Sequence, residues 1–186
     1  MHVLQVRRIF LLLIATVLIS PLTVVAVGQA TANAGPPRGT PHGVTELYRM
    51  WSPGATDHFY TTDRRERDYA ERHYGYHEEG VACYVLKEQK RGSVPLYRMW
   101  NGQSGDHFYT TNRHERDYAA RHYGYSKEGV AGYVYDRERK GTVPFYRLWN
   151  GTTGDHFYTT DKHERNYAMK HYGYRDEGVA GWVYRA

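Results

Sequence analysis

The chain has 186 residues, with 25 Lys+Arg against 20 Asp+Glu, 11 His, 19 Tyr, 19 Gly and a single Cys. That length holds one domain or two small ones, and 15% aromatic with 24% charged residues excludes a disordered chain. A formal charge of +5 is too small for a dedicated nucleic-acid binder, and one cysteine excludes an internal disulfide framework or a Cys-rich zinc site.

The first segment reads as an export signal. Arg7 and Arg8 precede an apolar stretch from Ile9 to Val27, interrupted at Ser20-Pro21, and small residues follow at Ala32-x-Ala34. This pattern predicts a secretory signal peptide over residues 1–34, cleaved after Ala34, and a secreted, extracellular product. Residues 35–44 are rich in Pro and Gly and are expected to form a flexible tether.

Residues 45–186 form a single domain in which one sequence is written three times, as repeats 45–93, 94–142 and 143–186. Tyr48-Arg49-Met50-Trp51 returns as Tyr97-Arg98-Met99-Trp100 and Tyr146-Arg147-Leu148-Trp149. Asp57-His58-Phe59-Tyr60-Thr61-Thr62 returns at Asp106 to Thr111 and Asp155 to Thr160. Glu79-Gly80-Val81-Ala82 returns at Glu128 to Ala131 and Glu177 to Ala180, always at an offset of 49 residues. A fixed period of this size signals units that cannot bury their apolar faces alone.

In each copy the spacing predicts a strand (Leu47 to Trp51), a Gly-containing loop, and a second strand (Phe59 to Thr62), together a hairpin. Asp63, Asn112 or Asp161 follows, with Glu66, Glu115 or Glu164 three residues on. This is the capping-box pattern that starts a helix, in which the glutamate reaches back to the cap. The helix places Tyr69 with His73 and Ala70 with Tyr74, each pair four residues apart, and Gly75 ends it. A last strand, Val81 to Leu86, completes the copy. Short charged connections, Lys87 to Ser93 and Asp136 to Thr142, are expected to set each last strand beside the next copy's first strand. The last strand of copy three would then pair with the first strand of copy one. The expected fold is mainly β with one short helix per repeat, closed into a pseudo-threefold ring of three 49-residue repeats. It is three-bladed and propeller-like, or a β-trefoil if Tyr76 to Glu78 adds a fourth strand per copy.

Most repeated aromatics must fill the core, because the units hold few Leu, Ile or Val. Strand alternation puts His58 on one face with Tyr60 and Thr62, so Trp51, His58 and Tyr60 are the candidate ligand contacts. Their equivalents are Trp100, His107, Tyr109 and Trp149, His156, Tyr158. Arg49 with Asp57, Arg98 with Asp106, and Arg147 with Asp155 are expected to bridge and staple each hairpin as structural polar residues. Histidines meeting on a threefold axis (His58, His107, His156, or His73, His122, His171) would suit zinc or copper, but no local ligand spacing supports a metal, and none is expected. No cofactor and no catalytic residue is expected either: there is no Gly-x-Ser-x-Gly or His-Glu-x-x-His, and threefold identity does not supply residues in unlike roles. Cys83 stands where the other copies have Gly132 and Gly181, and reads as a buried strand thiol.

The runs Tyr97-Arg98-Met99-Trp100-Asn101, Asp106-His107-Phe108-Tyr109-Thr110-Thr111 and Glu128-Gly129-Val130-Ala131-Gly132-Tyr133 carry a resemblance over residues 45 to 186. The chain resembles the secreted "His-Phe-Tyr-Thr-Thr" repeat family, a domain of unknown function whose members often accompany exported hydrolases and wall-acting enzymes. It departs from that pattern in having no such enzyme beside the repeats, and in Thr45 where later copies have Pro95 and Pro144. The resemblance implies an accessory, glycan-directed role and brings no ligand or catalytic residues. Residues and resemblance together lead to an expected function: a secreted, non-catalytic, lectin-like module with three equivalent sites for extracellular or cell-wall carbohydrate. Nucleic acid is not an expected partner, nor is a membrane once the signal is removed. The alternative is a structural or protein-interaction repeat domain, adhesin- or inhibitor-like, without a glycan ligand.

Overall fold

A computed structural model describes residues 42–186. The expected signal peptide, its cleavage point and most of the tether lie outside the described residues. Each copy contributes the same four elements. In copy one these are β1 (Val44–Ser52), β2 (Asp57–Thr61), α1 (Arg64–His73) and β3 (His77–Leu86). Copy two gives β4 (Ser93–Asn101), β5 (Asp106–Thr110), α2 (Arg113–His122) and β6 (Ser126–Tyr135). Copy three gives β7 (Thr142–Asn150), β8 (Asp155–Thr159), α3 (Lys162–His171) and β9 (Arg175–Tyr184). Among the described residues no helix is long and apolar enough to cross a membrane.

Within a copy, the first strand is the centre of three. Tyr48 pairs with Thr61 and Ser52 with Asp57 on one side, and Val44 pairs with Leu86 and Trp51 with His77 on the other, all antiparallel. The segment proposed as an extra trefoil strand is instead the start of β3. Two irregularities in register, after Leu47 and after Arg49, let one long strand follow β1 to its end.

The expected circular closure of the sheet is corrected by this pairing. Among the described residues β3 does not pair with β4, nor β9 with β1; the ladders run within copies, as β1–β3, β4–β6 and β7–β9. The sheet is antiparallel and open. The reason is that a strand has only two edges, and β1, β4 and β7 spend both on partners nearby in sequence, whose loops cost least to close. Strand pairing between copies is limited to single residue pairs: Leu86 with Tyr133, Tyr135 with Trp182, and Tyr84 with Tyr184. The strands β2, β5 and β8 are left as sheet edges.

The core follows the aromatic expectation. Tyr60, Tyr109 and Tyr158 meet edge-to-face with ring centroids 5.5 Å apart. Leu47, Leu96, Phe145, Val85, Val134, Val183 and Cys83 pack with them. Side chains at Gly132 and Gly181 would collide with Val85 and Val134 of the preceding copy. Cys83 is accommodated at the third such position, fully buried, and burial pushes its thiol well above the ordinary range. A thiol so enclosed cannot form the intermolecular disulfide that an exported chain otherwise allows. Each helix buries one residue, Ala70, Ala119 or Ala168, against its own hairpin.

The helix starts form as the spacing predicts, but only in part. Asp63 accepts the Arg65 N–H, Asn112 those of His114 and Glu115, and Asp161 that of His163. The capping-box glutamate does not reach back. Glu66 accepts from the Thr61 hydroxyl and takes a bidentate bond from Arg98 of the next copy, at 2.8 Å to each oxygen. A charge-assisted fork outcompetes a single backbone N–H for the same carboxylate.

One local strain distinguishes copy one. The hairpin loops turn through Gly105 (φ +73°) and Gly154 (φ +77°), but copy one has Thr56 there, at φ +52°. A β-branched residue in the left-handed region is disfavoured by contact of its Cβ with the backbone. Replacing Thr56 with Gly is therefore expected to stabilise the domain by about 0.5–1 kcal/mol after the added freedom of the unfolded chain is subtracted. The check is a urea unfolding midpoint that rises with unchanged slope.

Candidate functional site

The structure separates the three residues nominated as one ligand set. Tyr60 is 1% exposed, and Tyr109 and Tyr158 are equally buried, so none can touch a ligand. Their hydroxyls cover the free edges of the sheet. The Tyr109 hydroxyl accepts the Tyr60 N–H at 2.8 Å and donates to the Tyr60 carbonyl at 2.6 Å. Tyr158 does the same for Tyr109, and Tyr60 for Tyr158, which returns the order to its start. One phenol thus does for an edge strand what a neighbouring strand would do. Burial pushes all three hydroxyls far above the usual tyrosine range, so they stay neutral donors.

His58, His107 and His156 are also held in a cycle between copies, which runs in the opposite sense. His107 Nδ1 lies 2.6 Å from Asp57 Oδ2, while Oδ1 accepts the His107 backbone N–H at 2.8 Å. His156 is bound in this way by Asp106, and His58 by Asp155. A carboxylate can only accept, so each Nδ1 carries the proton. Tyr76, Tyr125 and Tyr174 each donate to the aspartate of their own copy. The expected Arg49–Asp57 staple and its equivalents are therefore not formed. Arg49 instead holds Glu164 bidentately at 3.0 Å and Glu79 at 2.9 Å; Arg98 holds Glu66 and Glu128, and Arg147 holds Glu115 and Glu177. The partner comes from the adjacent copy, where the glutamate at the neighbouring helix start presents both oxygens to the guanidinium.

Asp57, Asp106 and Asp155 bring carboxylate oxygens within 4.8 Å of one another, all fully buried. Each carboxylate already accepts three hydrogen bonds, from a backbone N–H, an imidazole and a phenol. The cluster is accounted for as the centre of the inter-copy network. It resembles the Asp–His half of a hydrolytic triad, but Nε2 of each histidine faces a glutamate at 3.8–3.9 Å, where a triad needs a nucleophile.

Beside the network, a cleft of about 290 Å³ runs between copies two and three, lined in part by Thr111, Asn112, Glu115, Arg147, Glu177 and Val179. Of its two carboxylates, Glu115 is held away from the role of general acid. Burial alone would raise Glu115, but the Arg147 and Thr110 hydrogen bonds outweigh it and lower its pKa, which holds the group ionised. A general acid at neutral pH needs the opposite shift.

The residues open to a ligand lie elsewhere. At the C-terminal end of each helix stands a small aromatic cluster: Tyr69, His73 and Tyr74; Tyr118, His122 and Tyr123; Tyr167, His171 and Tyr172. Tyr69 and Tyr74 are 48% and 65% exposed, and their equivalents are similar. In copy one the Tyr69 ring lies 4.2 Å from His73 and 5.5 Å from Tyr74, tilted against the first and edge-on to the second. The same geometry recurs in copies two and three within 0.1 Å. Helical spacing of four stacks the first pair. The second tyrosine sits at the cap just before Gly75, which turns into the left-handed region (φ +70°) and directs the chain away, so nothing covers the ring. The hairpin loop braces this end in copies two and three, where the Asn101 and Asn150 amides donate to the Tyr123 and Tyr172 carbonyls. Copy one has Ser52 there and lacks the brace. Partial desolvation and then Tyr167 push the Tyr172 hydroxyl above its ordinary value, so it remains neutral.

Large exposed rings are the informative kind of surface, since a folded chain has no packing reason to leave them in water. Sequence reasoning placed Tyr69 and His73 on one helix face but did not nominate them. The available signal was the helix itself, which is polar all round except for one alanine and so cannot be burying its tyrosines. Trp51, Trp100 and Trp149 are half-buried, each stacked on the histidine of its own hairpin at 4.3–4.5 Å.

One family model, described as "Domain of unknown function (DUF5648)", matches residues 45–184. No curated protein and no solved structure matches the chain.

Proposed function

The chain belongs to the DUF5648 family of domains of unknown function, and from its own surface we propose that it is a non-catalytic carbohydrate-binding module with three equivalent aromatic sites. The carrying observation is the exposed Tyr–His–Tyr cluster, repeated at each helix end with the same ring geometry. A tyrosine face accepts the C–H side of a pyranose, while phenol and imidazole edges offer donors and acceptors to its hydroxyls. The ligand contacts are Tyr69, His73 and Tyr74 with their equivalents, in place of His58 and Tyr60. The repeated polar residues of the interior position these sites. Three weak sites on one body gain avidity because, after the first contact, the others bind at high effective concentration. The cyclic order of the inter-copy contacts supports a threefold arrangement of the sites. The N-terminal Arg7-Arg8 and the apolar run after it support export, and with it an extracellular polysaccharide as the ligand.

The test is retention on insoluble polysaccharides. Replacing both tyrosines of one cluster by alanine is expected to weaken retention at least tenfold, and replacing all six to abolish it. The melting temperature should stay within a few degrees, because these side chains are exposed. Undiminished retention of the sixfold variant would exclude these sites, and no retention on any glycan would favour the protein-interaction reading.

A further inference from the structure

The two ends of the domain differ in charge as well as in shape. Strands β1, β4 and β7 run nine residues each from the connections between copies to the hairpin loops, a length of roughly 30 Å. The aromatic clusters lie toward the hairpin end, since β3 begins there opposite Trp51. At the other end lie the two connections, residues 87–92 and 136–141. Their ends are fixed by Lys87 N–H to the Gly43 carbonyl and by Asp136 N–H to the Gly92 carbonyl, so the first connection rests on the residue before β1 and the second on the first. The Arg139 guanidinium lies directly over Gly92 and joins the two loops into one surface.

That surface is cationic in an otherwise balanced domain. Residues 42–186 hold 22 basic and 20 acidic side chains, and the two connections alone hold six basic against three acidic. Lys87, Lys90, Arg91, Arg137, Arg139 and Lys140 are all exposed. Arg137 pairs with Asp136 at 3.1 Å, and Arg139 stacks over Tyr135. Among the described residues, Lys87, Lys90, Arg91 and Lys140 have no ion-pair partner. On the helices Arg64, Arg67, Arg116 and Arg165 are each tied to a carboxylate, and the remaining cations, such as Arg65 and Arg113, are spread over three separate helices in place of two adjoining loops.

We propose that the connection end is a second binding surface, and that its partner is an acidic polysaccharide whose carboxylates meet these free ammonium and guanidinium groups. Three features select that chemistry. Among the described residues the end offers no exposed aromatic ring on which bases would stack and no helix for a groove, so a nucleic acid lacks a recognition element there. The connections carry no exposed apolar side chain, so nothing inserts into a lipid surface. An arginine fork with adjacent lysines suits carboxylates on a flexible chain. The proposal is independent of the aromatic sites: it uses the opposite end, and charge in place of stacking.

The experiment is titration of the full chain with polygalacturonate at low salt. Lys90→Gln with Lys140→Gln is expected to weaken binding at least tenfold. Arg65→Gln with Arg113→Gln, which removes the same charge from the helices, should change it less than twofold. Glu88→Gln with Glu138→Gln should tighten binding and so reads the surface in the opposite direction. Raising the salt to 0.5 M should abolish it. The sixfold tyrosine variant should bind polygalacturonate unchanged, which separates this surface from the aromatic sites. Equal losses from helix and connection variants would overturn the proposal. Binding of duplex DNA, of anionic vesicles or of an acidic protein more tightly than polygalacturonate, with the same variant pattern, would also overturn it.

Discussion

Asp106→Ala is expected to lower the unfolding free energy by about 3–5 kcal/mol, the largest effect of any single polar substitution in this domain. The substitution strands three groups at once: the His156 backbone N–H, the His156 imidazole and the Tyr125 hydroxyl. Each orphaned buried donor costs about 1–3 kcal/mol. One effect works the other way, because removing a carboxylate relieves repulsion among three acids that lie within 4.8 Å. That relief keeps the total below the sum of three orphans. A domain of this size has roughly 5–15 kcal/mol in all, so the variant should melt on the order of 10 °C lower. Asp106→Asn keeps the shape and one acceptor oxygen and should fall between the two. Urea unfolding of the three proteins is the measurement, and a loss under 1 kcal/mol for alanine would show that the inter-copy network carries little of the stability.

Tyr109→Phe is expected to cost about 2–4 kcal/mol, although it removes a single oxygen. That oxygen serves both the N–H and the carbonyl of Tyr60, on the outer side of an edge strand whose one strand neighbour, at Arg49, lies on the other side. The ring remains and no cavity opens, so the whole loss is hydrogen bonding. Tyr118→Phe, the same chemical change on an exposed helix position, should stay within about 0.5 kcal/mol. Similar losses from both variants would mean that the central phenols do not support the sheet edges.

These interior roles were the hardest to read from sequence, and the reason is the repetition itself. In a chain written three times, Arg49 lies near Asp57 in its own hairpin, and equally near an identical set in the next copy once the chain folds. Local spacing favours the first reading, whereas the structure pairs Arg49 with Glu164 and Asp57 with His107. Sequence separations of 115 and 50 residues leave no local trace. Strand alternation placed His58 and Tyr60 on one face, but could not tell that this face looks inward, toward the other two copies. Features governed by a few adjacent residues were legible. The hairpins, the Asx cap at Asp63, the stop at Gly75 and the strand after it all fall within one or two turns of backbone. The helix tyrosines were legible as a stacked pair, yet their exposure depends on what the rest of the fold leaves uncovered.

The cyclic order of the phenols bears on how the domain comes apart. A linear array of copies can fray from its ends, because each unit leans only on its neighbours. Here every copy receives an aspartate from one neighbour and a phenol from the other, and lends its own aspartate and phenol in the reverse directions, so there is no terminal unit to melt first. Loss of any copy deprives both survivors together. The domain therefore unfolds in one concerted step, and a protease gains no foothold by nibbling inward.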